Sequence, residues 1–233
     1  MVVDIPKNIC VIRERIASAA KKSGRREEDI KLIGVTKFHP LSMLVEASPF
    51  VDAIGENRVQ EAALKKEELN GNKTPCAWHM IGRLQKNKAR RAIRIFDMIE
   101  SVDSLDLAVL LNKILAEDNA KIFPVLIEVN ISREINKGGM LPEETERLLC
   151  NIMEQSPLLS VQGFMTVARN TDDERELRNT FAALRILRDR LKASSGLELP
   201  ELSMGMSGDF ETAIEEGSTM VRIGSAIFGP RNY

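Results

Sequence analysis

Lys37 carries the clearest chemical potential in this chain. It lies in residues 30–40, IKLIGVTKFHP. Leu32, Ile33 and Val35 form an apolar run of the kind a buried strand shows, and Pro40 closes it. Lys37 therefore sits where a strand surfaces, with its stem packed and its amine at the rim. Desolvation of that kind favours a neutral amine, able to act as nucleophile or base. A strand-end lysine can equally snorkel into water, so the residues at the other strand ends decide between the two.

Two glycine-rich stretches near the C-terminus supply a second kind of chemistry. They read SMGMSGD and RIGSAIFG. Gly205, Gly208 and Gly224 permit close backbone approach, and Ser207 and Ser225 offer hydroxyls. Ser207 is expected to open a helix over 207–216, whose free N–H groups and dipole favour an anion. A serine there is also an ordinary N-cap. Asn57, Arg83, Ser101, Asn130 with Ser132, Met165 with Thr166, and Arg222 stand at further strand ends. An amine facing a phosphate cradle suggests an aldehyde cofactor that carries a phosphate. Pyridoxal 5′-phosphate (PLP) satisfies that description. A Schiff-base aldolase acting on a phosphorylated substrate satisfies it too, and spacing does not separate them.

These residues need a frame that brings distant strand ends together. Asp4, Pro6 and the isoleucines 5, 9, 12 and 16 predict an N-terminal helix ending near Gly24. Eight strands follow, over 32–35, 51–55, 78–82, 96–100, 123–130, 161–167, 199–205 and 219–223. Helices are expected between them over 41–47, 56–69, 84–94, 104–118, 142–154, 172–192 and 207–216. Strict alternation argues for parallel pairing, and eight strands close a (β/α)8 barrel of TIM type. The expected architecture is thus an α/β single domain over 1–233, one barrel with an extra N-terminal helix. A doubly wound open sheet is the alternative, but no glycine-rich dinucleotide fingerprint follows the first strand. A barrel puts its site at the C-terminal strand ends. It often binds phosphate after strands seven and eight, where Ser207 and Ser225 stand.

Composition narrows the classes. The chain has 233 residues, 43% hydrophobic content and a net charge of −1. That balance gives no general attraction to nucleic acid or to an anionic membrane. Cys10, Cys76 and Cys150 are odd in number and far apart, which predicts reduced thiols, no zinc site and a cytoplasmic setting. His39 and His79 alone cannot build a histidine-rich metal centre, and His79 reads as a satisfied core or rim residue. The run Arg83, Lys86, Lys88, Arg90, Arg91, Arg94 reads as a solvated helix face. The N-terminus lacks signal-peptide order, and no apolar run reaches a membrane span.

The segments LIGVTKFHP, IGENRVQE, WHMIGRLQKNK, GFMTVAR and LSMGMSGDFETAIEEGSTMVRIGSAIFGPRNY resemble the YggS-type PLP homeostasis proteins, in order and over nearly the whole chain. The resemblance implies a barrel similar to the N-terminal domain of alanine racemase, with PLP on Lys37 as a Schiff base. It implies that Ser207, Gly224 and Ser225 hold the phosphate and that Arg222 faces the pyridine nitrogen. By the same match, Asn57 lies on the cofactor side and Met165 packs near the ring. Ser225 stands where relatives often carry threonine, and the hydroxyl is retained. The loop ISREINKGG departs from the commoner acidic and serine-rich form, so no binding role passes to Lys137.

Two functions then compete. One is a non-enzymatic carrier, expected to be monomeric, that hands PLP to apo PLP-dependent enzymes. The other is a PLP-dependent amino-acid racemase. Two-base racemization needs a second proton donor. Alanine-racemase-like enzymes take it as a tyrosine from an additional domain, whereas this sequence stops after strand eight and has only Tyr233. The expectation is the carrier.

Overall fold

The computed structural model describes residues 3–230. Its first element, α1 (Ile5–Lys22), starts at Asp4, whose carboxylate accepts the Lys7 N–H at 3.0 Å. Ile5, Ile9, Ile12 and Ile16 fall on one face and are buried. Each such isoleucine contributes roughly 1.5–3 kcal/mol on burial. Next come β1 (Lys31–Val35), α2 (Leu41–Ala47), β2 (Ala53–Glu56), α3 (Val59–Glu68), β3 (Ala77–Met80) and α4 (Ala89–Ile95). Then follow β4 (Met98–Val102), α5 (Leu105–Glu117), β5 (Phe123–Glu128), α6 (Thr145–Gln155), β6 (Leu159–Met165) and α7 (Glu174–Ser195). The chain closes with β7 (Glu201–Ser203), α8 (Phe210–Glu215), β8 (Met220–Ile223) and α9 (Ser225–Phe228).

The eight strands form a closed parallel barrel in sequence order, as the alternation predicts. β1 pairs with β2 through Val35 and Gly55, and with β8 through Ile33 and Arg222. Strand residues facing outward pack against the helices in the main core, Trp78 among them. Ile33, Ala53, Leu126, Met165 and Met220 fill the barrel interior as a second cluster.

The expected and observed elements differ mainly at their ends. β4 lies two residues later than its apolar run suggests, so Ser101 is a buried strand residue and not part of the rim. Its hydroxyl donates to Gly82 O at 2.6 Å. The basic helix begins as a 3-10 turn over Lys86–Lys88 before α4 starts. The helix expected from Ser207 starts at Phe210 instead, because Asp209 Oδ1 accepts the Met206 N–H at 2.5 Å and closes a turn first. Ser207 is in that turn and does not cap the helix.

The sheet register is irregular in two places, between β4 and β5 over Ile99 to Val102 and between β5 and β6. The register between β5 and β6 shifts between Val125 and Leu126. Gly163 sits beside that shift with φ +149°, and a Cβ there would lie 1.9 Å from Glu201 O. Only glycine allows that approach of β6 to β7.

Candidate cofactor site

Lys37 occupies the turn between β1 and α2 and is half-buried. The next residue, Phe38, adopts φ +64°, and Arg58 stacks over its ring with the guanidinium carbon 5.2 Å from the centroid. Asn57 directly follows the C-terminal end of β2, the strand that pairs with β1 through Val35 and Gly55. It is a loop residue and does not begin α3. A Cβ on Gly82 would lie 2.5 Å from Asn57 O, so this glycine lets the end of β3 close on the Asn57 backbone.

The loops after β7 and β8 meet. Ser207 Oγ accepts the Ala226 N–H at 3.4 Å, which joins the Ser207 turn to the start of α9. Gly224 abuts Val35, its virtual Cβ 3.5 Å from the Val35 Cβ, so this corner stands directly beside the end of β1. Lys37, Asn57, Ser207, Gly224 and Ser225 therefore share the C-terminal rim of β1, β2, β7 and β8. Met165 is buried in the interior cluster beneath that rim.

Arg222 is 4% exposed and reaches over β7 to the end of β6. Its Nη2 donates to Thr166 O at 2.8 Å and its Nη1 to Ser203 Oγ at 2.6 Å. Ser203 in turn donates to Glu100 Oε2 at 2.5 Å, and Glu100 Oε1 lies 2.6 Å from His79 Nδ1. Burial pushes the Arg222 guanidinium down from its ordinary range, while Glu100, Asp209 and Glu128 pull it back up. Burial opposes ionisation of Glu100, but His79, Arg222 and Ser203 together hold its carboxyl below the usual range. The chain His79, Glu100, Ser203, Arg222 is thus a connected buried polar network, and such networks rigidify what they hold. Sequence reading saw Arg222 and His79 separately and missed Glu100 and Ser203. The available signal was a carboxylate inside the apolar run of β4, since a buried charge needs a partner.

Glu128, at the end of β5, was also missed. Burial pushes its carboxyl up to about 7; Asp103 adds to that rise, and Arg222 and Arg83 oppose it. Beyond it, Lys137 donates to Ala168 O at 3.0 Å and pairs with Glu134, which ties the loop after β5 to the end of β6. The basic run is largely neutralised in place: Lys86 pairs with Asp106, Arg91 with Glu67, and Arg90 and Arg94 with Asp118. Among the described residues, no cluster of His, Cys, Asp and Glu could hold a metal, and no helix is long and apolar enough to cross a membrane. Tyr233 lies outside the described residues.

Residues 10–232 match the family described as alanine racemase, N-terminal domain. The pyridoxal phosphate homeostasis protein of Aquifex aeolicus (strain VF5) is 41% identical to this chain, covering 95% of it and 96% of the relative. The chain belongs to the pyridoxal phosphate homeostasis protein family. Among solved structures, PipY from Synechococcus elongatus with PLP bound is similar at a TM-score of 0.80 and 35% identity, over 94% of this chain and 100% of PipY. Alanine racemase of Clostridium difficile 630 shares the fold alone, with a TM-score of 0.76 at 19% identity. The match to alanine racemase covers 97% of this chain and 58% of the racemase.

Proposed function

We propose that this protein binds PLP covalently through Lys37 and releases it to apo PLP-dependent enzymes, serving PLP homeostasis in the cytoplasm. Residues 1–233 act as one binding domain, and as a monomer. The observation that carries this reading is the shared rim of an amine, Lys37, and a paired serine corner, Ser207 and Ser225, beside it. PipY, similar over most of this chain, was solved with PLP bound. The donor set fits the ligand: hydroxyls and backbone N–H groups for a phosphate, an amine for an aldehyde, and a buried cation for a ring nitrogen.

When bound, PLP supplies an aldehyde that reacts reversibly with amines and a ring that can withdraw electrons. The chain's own residues then divide the work. Lys37 holds the aldehyde carbon. Ser207 and Ser225 donate to the phosphate, and Gly224 keeps that corner open to it. Asn57 lines one side of the pocket, and Met165 packs beneath. Arg222, fixed by Ser203 and Thr166 O, keeps positive charge toward the ring nitrogen and disfavours a proton there. An unprotonated ring stabilises a carbanion poorly, which favours carrying over racemization. The naming of the Aquifex aeolicus relative as a homeostasis protein supports the same choice.

The test has two arms. Borohydride reduction of the PLP-loaded protein, followed by peptide mapping, should place the pyridoxyl group on Lys37. Loaded protein should also restore activity to an apo PLP enzyme, while L- and D-amino acids give no product above a free-PLP control. Labelling on another lysine alone, or multiple turnovers of one amino acid lost in Lys37→Ala, would overturn the carrier reading.

A further inference from the structure

Lys65 belongs to α3 and has no place in the binding reading above, yet it is buried, 5% exposed, and its amine ends beside Lys37's neighbours. An ammonium has three hydrogens, and three acceptors surround this one. They are Glu56 Oε1 at 2.6 Å, Glu61 Oε1 at 2.9 Å and the backbone oxygen of Thr36 at 2.8 Å. The same two carboxylates grip the chain on both sides of Lys37. Thr36 Oγ1 donates to Glu56 Oε1 at 2.5 Å, and the Phe38 N–H donates to Glu61 Oε1 at 2.6 Å. Thr36 and Phe38 are thus anchored to one cluster, and Lys37 is the single residue between them.

Two physical points argue that this cluster serves position more than stability. A buried ion pair gains little over a well-packed apolar pair of the same volume, because desolvation offsets the Coulomb attraction. An apolar residue at position 65 would pack α3 onto the barrel, but it could not hold the Thr36 carbonyl. Phe38 also keeps a left-handed φ of +64° without being glycine, an unfavourable conformation that persists where surroundings over-determine it. Here the surroundings are Glu61 on its N–H and Arg58 over its ring.

We infer that Lys65, Glu56 and Glu61 form a positioning cluster that aims the Lys37 amine for capture of an aldehyde. The inference rests on the reading of Lys37 as the PLP-binding lysine. In the captured state the Lys37 nitrogen forms a C=N bond to the aldehyde carbon, and the aldehyde oxygen leaves as water with the two amine hydrogens. Only this covalent step depends on the aim of Lys37. Non-covalent docking of the phosphate corner does not.

The experiment separates those two terms in the full-length protein. Lys65→Met, Glu61→Ala and Glu61→Gln are compared with the unsubstituted chain for PLP capture, followed by absorbance and by borohydride labelling of Lys37. Binding of pyridoxine 5′-phosphate, which has an alcohol in place of the aldehyde, reads docking alone. Lys65→Met and Glu61→Ala should weaken capture about tenfold or more, since small errors of aim cost that much. Glu61→Gln keeps an acceptor oxygen and should stay within about threefold of the unsubstituted protein, and all three should bind pyridoxine 5′-phosphate nearly unchanged. Glu61 is partly exposed, so Glu61→Ala should fold even where Lys65→Met, which strands two carboxylates, does not. Unchanged capture in folded Glu61→Ala, or equal loss of both ligands, overturns the positioning role. A label on another lysine in the unsubstituted protein overturns the Lys37 assignment, and this inference with it.

Discussion

At the scale of single residues, the proposed phosphate role rests on the hydroxyls of Ser207 and Ser225. Each should be worth about 1 kcal/mol, and somewhat more against a charged partner. The double change to alanine should therefore weaken PLP binding by roughly 30-fold or more and leave pyridoxal, which lacks the phosphate, nearly unaffected. Paired titrations with the two ligands check this, and equal losses would argue against a phosphate role. The glycine spacing pointed to both serines, and the structure brings their loops together through the Ala226 N–H on Ser207 Oγ. The capping role expected of Ser207 is not observed, because Asp209 takes the Met206 N–H and delays the helix to Phe210. That choice between two neighbouring polar side chains depends on how the loop closes. Arg222 was legible as a strand-end cation, but its partners Ser203 and Thr166 come from β7 and the end of β6, distant in sequence.

At the scale of elements, apolar runs located all eight strands, and their ends moved by a residue or two. A run records which residues are buried, whereas a strand end is set by pairing with its neighbours. Ser101 shows the difference: it looks like a rim residue after an apolar run, yet β4 continues through it to Val102. The bulge between β5 and β6 was invisible for the same reason. Gly163 reads as one glycine in VQGFMTV, and only the packed sheet reveals the Glu201 carbonyl that excludes a side chain. Gly163→Ala should destabilise the fold by about 3–5 kcal/mol, combining backbone strain with a clash that neither strand can relieve alone. Denaturant unfolding of the unliganded protein measures it. A loss below about 1 kcal/mol would mean that β6 and β7 separate easily here.

At the scale of the whole molecule, closure of the barrel gathers charge at its mouth, and stability should record this through pH. Glu128 titrates at about 7 in the folded chain against 4.5 for the free group, so the folded state keeps a proton that the unfolded chain has lost. The resulting stabilisation is complete below pH ~4.5 and is lost as pH rises through about 7. One pKa unit corresponds to about 1.4 kcal/mol, which sets a ceiling of about 3.5 kcal/mol, and residual solvent contact should bring it to about 1–2. Glu128→Gln should therefore gain stability over the unsubstituted protein between pH 5 and pH 8, read as a difference of unfolding free energies. A pH-independent difference would place Glu128 in solvent. The alternation of strands and helices, the strand-one lysine and the glycine–serine corners are local patterns, so the order of residues was enough to reveal a barrel and to point to a rim lysine and two serine-bearing loops as its candidate site. The Glu56–Lys65–Glu61 cluster and the His79–Glu100–Ser203–Arg222 network were decided only by the tertiary structure. Apart from the Glu61–Lys65 pair four residues apart within α3, each joins side chains from separate strands or helices, and nothing in one segment indicates which of these buried charges will meet which partner until the sheet has closed.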